Sequence, residues 1–198
     1  MGDAAGARIC APTPSNPSGS PGASSSDRSR VALPERGWRA VSQQPHWYRS
    51  WVWRGGRRSD VVTARGVAVE ALADWRLEAM ADDVELCVSE LVTNALVHAR
   101  CPGVPSAVPV VSLGLRYFPA SCVLVEVSDC DPCPPLLPAP GPEGEPPDTL
   151  ELLGGRGLLI VRDLADSTWW QRELGGGKSV CASLATSRYL DSGESGDD

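Results

Sequence analysis

Between positions 83 and 98 the apolar residues recur at a helical period. Val84, Val88, Leu91, Val92, Ala95 and, just beyond, Ala99 fall on one side. Glu90, Asn94 and His98 are spaced four apart, so they form a polar ridge along the edge of that apolar side. A carboxylate and an amide this near a core cost desolvation unless something binds them. The ridge is therefore a candidate site, and an ordinary amphipathic helix with a polar edge is the plainer alternative. Upstream, Val61, Ala64, Ala68, Ala71, Leu72 and Trp75 repeat through to Leu77 as a first amphipathic helix, with Ser59 and Asp60 as its caps. Asp82 and Asp83 open the central helix, which ends near Arg100, ahead of Pro102 and Gly103.

Elsewhere the period changes to two. Trp47 to Arg54 reads as a first, edge strand. Val110 to Tyr117 and Ser121 to Ser128 read as two more, the latter with Val123, Val125 and Val127 alternating against Leu124 and Glu126, and Phe118-Pro119-Ala120 as the turn between them. A short helix from Leu158 to Ala165 follows, then a hairpin of Ser167 to Glu173 and Lys178 to Ala185 around Gly175-Gly176-Gly177. Helices interleaved with strands give an α/β class.

The 198 residues suffice for one domain with tails. Residues 1–46 begin with Ala, Gly, Pro and Ser and are expected to be a disordered, low-complexity extension, although Trp38 and the tryptophans after it make the stretch from residue 31 unusual. The folded domain is expected over 47–188, and 189–198 as an acidic disordered tail. Residues 130–155 hold eight of the 18 prolines between Pro132 and Pro147, and a loop of this length inside a domain reads as a functional lid. The net charge of −7 argues against a nucleic-acid surface. No apolar run is long enough to span a membrane and no apolar signal core opens the chain, so a cytoplasmic location is expected. In that compartment the seven cysteines should be reduced. Cys130-Asp-Pro-Cys133 lacks the second pair that a zinc site needs.

Three further stretches carry candidate chemistry. Asp129 stands at the C-terminal end of a strand, where α/β sheets present ligand-facing residues, though an Asp beginning a turn is the plainer reading. Gly155-Arg156-Gly157-Leu158 opens a helix. Its glycines allow close backbone approach, and the helix N-terminus favours phosphate. It is not a dinucleotide fingerprint, because Ile160 stands where a third glycine is required. Gly177-Lys178-Ser179 is not a P-loop, since Arg172 occupies the first glycine position and a strand follows instead of a helix. Lys178, the chain's one lysine, reads as a surface residue or a phosphate contact.

The order of these signals is more specific than any one of them. It resembles the GHKL ATP-binding superfamily of gyrase, histidine kinases and related ATPases. More narrowly, Ser89-Glu-Leu-Val-Thr-Asn-Ala95 with His98, and Gly155-Arg-Gly-Leu158, resemble the small bacterial anti-sigma-factor serine/threonine kinases, over about residues 48–187. The resemblance implies an α+β two-layer sandwich, with a mixed, mostly antiparallel sheet covered on one face by about three helices and an ATP lid. It implies ATP and Mg²⁺ as cofactors. Glu90 would be the general base, Asn94 the Mg²⁺ ligand and Asp129 the acceptor for the adenine amine. Gly155, Gly157 and Leu158 would cradle phosphates, Ser179 would support the adenine side, and His98, Arg156 and Lys178 fall among the nucleotide-binding positions. A sigma factor and an anti-sigma antagonist are the implied partners, without nucleic acid or membrane, and a homodimer stays open. Asp131 stands where the family often has a glycine, Arg76 replaces the glycine often found after the tryptophan of the first helix, and the lid is long. Asp131 and the lid leave room for a rival, a catalytically silent nucleotide-binding module that sequesters a transcription regulator. A histidine kinase fits less well, because His46 lies in a Trp/Pro segment and not on a dimerising helix.

Overall fold

The computed structural model of the chain describes residues 30–33, 45–54, 57–101, 110–138 and 156–190. Strands β1 (Arg30–Ala32), β2 (Trp47–Arg54), β3 (Val110–Phe118), β4 (Cys122–Asp129), β5 (Leu136–Pro138), β6 (Ser167–Arg172) and β7 (Lys178–Ala185) alternate with helices α1 (Arg58–Asp74), α2 (Ala81–His98), α3 (Arg156–Leu164) and α4 (Ser187–Leu190). Five strands make one sheet in the order β2-β3-β4-β7-β6, and every ladder in it is antiparallel, where a mixed, mostly antiparallel sheet was expected.

Strand alternation divides the sheet into two faces. Val123, Val125 and Val127 of β4, with Val180, Ala182 and Leu184 of β7, are buried in the main core beneath the helices. That core takes Ala64, Ala68, Ala71 and Leu72 from α1, Val84, Val88, Leu91, Val92 and Ala95 from α2, and Leu158 and Val161 from α3. The apolar side read from the sequence is thus the buried side of α2 from Val84 to Ala95, with Cys87 added to it, while Ala99 lies just past the helix end and is only half-buried. Burial pushes the Cys87 thiol up to about 12, with the Asp83 and Glu90 carboxylates adding to the shift, so it stays protonated. The opposite face of the sheet carries a smaller cluster of Phe118, Leu124, Trp169 and Cys181.

Helix α1 starts one residue before its expected caps. Asp60 sits inside the first turn and reaches back, its Oδ2 accepting the Arg57 N–H at 3.0 Å. After α1, Arg76 adopts φ 57°, the left-handed region that glycine enters at no steric cost. Its side chain is exposed, so little packing depends on it. Arg76→Gly is accordingly expected to raise unfolding stability by about 1 kcal/mol, read as a higher urea midpoint.

Two expectations about the termini are corrected. Within the segment assigned to disorder, Arg30–Ala32 pairs antiparallel with Leu136–Pro138, and the Leu33 N–H donates to the Pro135 carbonyl at 3.2 Å. Leu33 is buried in the main core. A run of three apolar residues was enough because a backbone edge was waiting for it. At the other end, α4 continues past residue 188, and the Tyr189 hydroxyl donates to Asp83 Oδ2 in the first turn of α2 at 2.6 Å. The rest of both terminal segments, and the lid from 139 to 155, lies outside the described residues.

Candidate functional site

Helices α2 and α3 pack together, and Glu90 meets Gly157 where they do. A Cβ at Gly157 would collide with the Glu90 carboxylate oxygen Oε2 and lie 3.3 Å from its Cδ. The Glu90 carboxylate therefore occupies the space that a side chain at position 157 would take, and any larger residue there must push it aside. One turn further along α2, the Asn94 side-chain nitrogen Nδ2 is buried with no hydrogen-bond partner among the described residues. A buried amide left unpaired costs about 1–3 kcal/mol, and such orphans are rare enough to call for a ligand. Rotating the amide by half a turn exchanges its oxygen and nitrogen, so the same group serves as acceptor or donor. His98 is the last residue of α2 and is exposed.

A second cluster forms where β4 ends and β7 begins. Asp129 and Lys178 are cross-strand partners. The Lys178 ammonium Nζ donates to Asp129 Oδ1 at 2.9 Å and to the Asp131 carbonyl at 3.1 Å. The expectation of a surface or phosphate-contacting lysine is corrected: Lys178 is 7% exposed and ion-paired to Asp129. It also answers the concern over Asp131, whose Oδ2 lies 3.8 Å from the same ammonium and whose Oδ1 accepts the Cys133 N–H at 2.9 Å. Burial pushes the Asp129 carboxyl above its usual range. Lys178 and the Asp131 N–H oppose that shift, and the Asp131 carboxylate adds to it. Since the folded value is the higher one, Asp129 favours the fold while protonated, and that contribution is lost as pH rises through the folded pKa.

Gly177 brings the hairpin to this place. It adopts φ 89°, and a Cβ there would run into the Asp129 carbonyl and sit 3.0 Å from the Cys130 Cα. Ser179 faces the other way, which corrects its expected role beside the adenine. It pairs with Ser128 across the ladder, its hydroxyl 2.6 Å from that of Ser128, and it donates to the Glu173 carboxylate, all on the face away from the helices. Neighbours along a strand point to opposite faces, so Lys178 takes the side of Asp129 and Ser179 cannot.

The cysteines are not all reduced as expected. Cys101, just past α2, is disulfide-bonded to Cys130, next to Asp129, with Cα atoms 5.1 Å apart, and Cys133 is disulfide-bonded as well. Folding brings two cysteines 29 positions apart within bridging distance. The bridge ties the end of the helix carrying Glu90 and Asn94 to the strand end carrying Asp129. Cys101→Ser is expected to lower stability, by on the order of 3–4 kcal/mol in the chain-entropy estimate, read as a lower denaturant midpoint under oxidising conditions and no change under reducing ones.

Of the remaining candidates, Arg156 is the exposed first residue of α3, Leu158 is buried and anchors that first turn in the core, and Gly155 lies outside the described residues. Lys178 as the partner of Asp129, and the disulfide, are the features sequence reasoning missed. Among the described residues no group of three or more His, Cys, Asp or Glu gathers that could hold a metal by itself. The residues fit Mg²⁺ only in the manner of nucleotide sites, with an amide such as Asn94 supplying one ligand and phosphates and waters the rest. An antiparallel five-stranded sheet under α1, α2 and α3 is the architecture of a GHKL-type ATPase domain. Residues 57–184 match the histidine kinase-like ATPase domain, and the chain belongs to that family. No curated protein sequence matches the chain. Membership makes this an ATP-binding domain in kind.

Proposed function

We propose that the chain is an ATP- and Mg²⁺-dependent serine/threonine protein kinase that sequesters a sigma factor and phosphorylates the antagonist that releases it. The observation carrying this reading is the Glu90 carboxylate resting on Gly157 in the first turn of α3. Helix N-termini draw phosphate, and a base held beside one is placed to take the proton of an attacking hydroxyl. In the proposed step the acceptor Ser or Thr oxygen forms its bond to the γ-phosphorus and gives its proton to Glu90. The bond from that phosphorus to the β,γ-bridging oxygen breaks, and ADP leaves with the electron pair. Asn94 holds the metal, which when bound neutralises phosphate charge. The first N–H groups of α3, at Arg156, Gly157 and Leu158, hold phosphate oxygens, and Asp129 accepts the adenine amine.

Partners and place follow from the same proposal. The acidic chain takes protein partners and not nucleic acid. No helix among the described residues is long and apolar enough to cross a membrane. A cytoplasmic site of action would make Cys101–Cys130 a reversible bridge. The silent-module reading loses ground, because the Asp131 carboxylate that favoured it is offset by Lys178.

Labelled ATP incubated with the protein and a panel of candidate antagonists is expected to label an antagonist on Ser or Thr. ATP binding with no transfer to any of them would put the silent module in the kinase's place. Asn94→Ala is expected to weaken nucleotide binding roughly tenfold or more when Mg²⁺ is present and little when it is absent, with the fold intact. Calorimetry with and without the metal reads this, and equal losses under both conditions would remove Asn94 as the ligand.

A further inference from the structure

The chain's one lysine is buried against two carboxylates, and ATP binding as proposed above gives it no task. Two donors converge on a single oxygen of Asp129. The Lys178 ammonium reaches Oδ1 at 2.9 Å and the Asp131 N–H reaches the same atom at 2.8 Å. Among the described residues none donates to Oδ2. A carboxylate gripped this way cannot exchange its oxygens without breaking two hydrogen bonds, one of them charge-assisted and so among the stronger kinds. The grip is itself fixed, because Gly177 presses the start of β7 onto the Asp129 backbone and the Lys178 ammonium also holds the Asp131 carbonyl at 3.1 Å.

We propose that Lys178 is a positioning residue that sets base specificity, pinning Asp129 through Oδ1 so that Oδ2 alone is offered to the exocyclic amine of the bound base. This rests on the ATP-binding reading and deepens it. Adenine presents an N–H donor at its 6-position and hypoxanthine a carbonyl. An ionised carboxylate pairs with the first and leaves two acceptors facing each other with the second, the kind of mismatch that gives strong rejection. The charged groups facing Asp129 are Lys178 from β7 and Asp131 from the turn after β4. Without the ammonium, two buried carboxylates stand together and one takes a proton. A protonated Asp129 donates its O–H to the hypoxanthine carbonyl, which accepts it.

The test is the ratio of ATP to ITP affinity, by calorimetry at pH 6 and pH 8, for the full chain and its variants. The wild type is expected to prefer ATP by about tenfold or more at both pH values. Lys178→Met is expected to lower that preference about fivefold at pH 8 and further at pH 6, and Lys178→Arg to restore most of it. A purely structural lysine would weaken both nucleotides alike and leave the ratio unmoved. A Lys178→Met ratio within about twofold of wild type at both pH values overturns the proposal. Should Lys178→Met not fold, the double variant Asp129→Asn with Lys178→Met removes the charge pair together. If Lys178 acts through Asp129, the double variant shows the ratio of Asp129→Asn alone, and a further loss of about fivefold overturns the proposal. A wild type that binds no ATP would overturn the ATP-binding reading and this inference with it, whereas a wild type that binds ATP with an unmoved variant ratio sinks this inference alone.

Discussion

Replacing Glu90 by glutamine is expected to cut phosphotransfer by about 10²–10⁴-fold, the range that a positioned general base supplies. ATP affinity should hold or tighten. The carboxylate lies on Gly157, so when a triphosphate binds at the first turn of α3 a negative charge stands beside its oxygens. Glutamine keeps the shape and removes that repulsion. The helix loses a favourable anion at its N-terminus, worth about 0.3–1 kcal/mol, so the fold should weaken only slightly. The two effects have opposite signs, which makes the result diagnostic. A structural Glu90 would lose stability and binding together. Transfer that survives the substitution at wild-type rate would take the proton-accepting role away from Glu90.

What the sequence revealed and what it hid divide along one physical line, the reach of local periodicity. Helix α2 and its Glu90–Asn94 ridge were legible because a 3.6-residue period sorts core from edge without any knowledge of the partner. Strands β3 and β4 and the β6–β7 hairpin were legible by alternation, to within one or two residues at their ends. The position of Asp129 followed from where its strand stops. Ser179 was misplaced because the choice between it and Lys178 turns on register, and a one-residue shift sends a side chain to the other face of the sheet. Lys178 among three glycines has the local look of a surface turn. Only the pairing of Asp129 with Lys178 across the β4–β7 ladder shows it to be a buried counter-ion. The Cys101–Cys130 bridge and the β1–β5 pair are likewise contacts between segments far apart in the chain, invisible to any window. Arg76 is the opposite case. Its departure from a familiar glycine was noticed in the sequence, and φ 57° supplies the reason that a glycine is usual there.

Gly157→Ala and Gly177→Ala are expected to fail in different ways, and the contrast tests whether the two clusters serve one activity. At Gly157 the new methyl meets the far end of the Glu90 side chain, which can swing aside, and alanine favours the helix over glycine by about 1 kcal/mol. Stability should therefore stay near wild type, while phosphotransfer falls by on the order of 10²-fold, because a base displaced by about 1 Å loses its alignment. At Gly177 the methyl meets the Asp129 carbonyl, which cannot move without moving β4, and φ 89° is strained for any residue with a Cβ. There the expected result is a loss of stability of about 1–3 kcal/mol, with weaker adenine discrimination in whatever remains folded. Thermal melts and single-turnover transfer on both variants separate the two outcomes. A Gly157→Ala protein that transfers phosphate at the wild-type rate would mean that the place where Glu90 rests has no bearing on the chemistry. The glycine of the Gly-Arg-Gly turn would then serve packing alone.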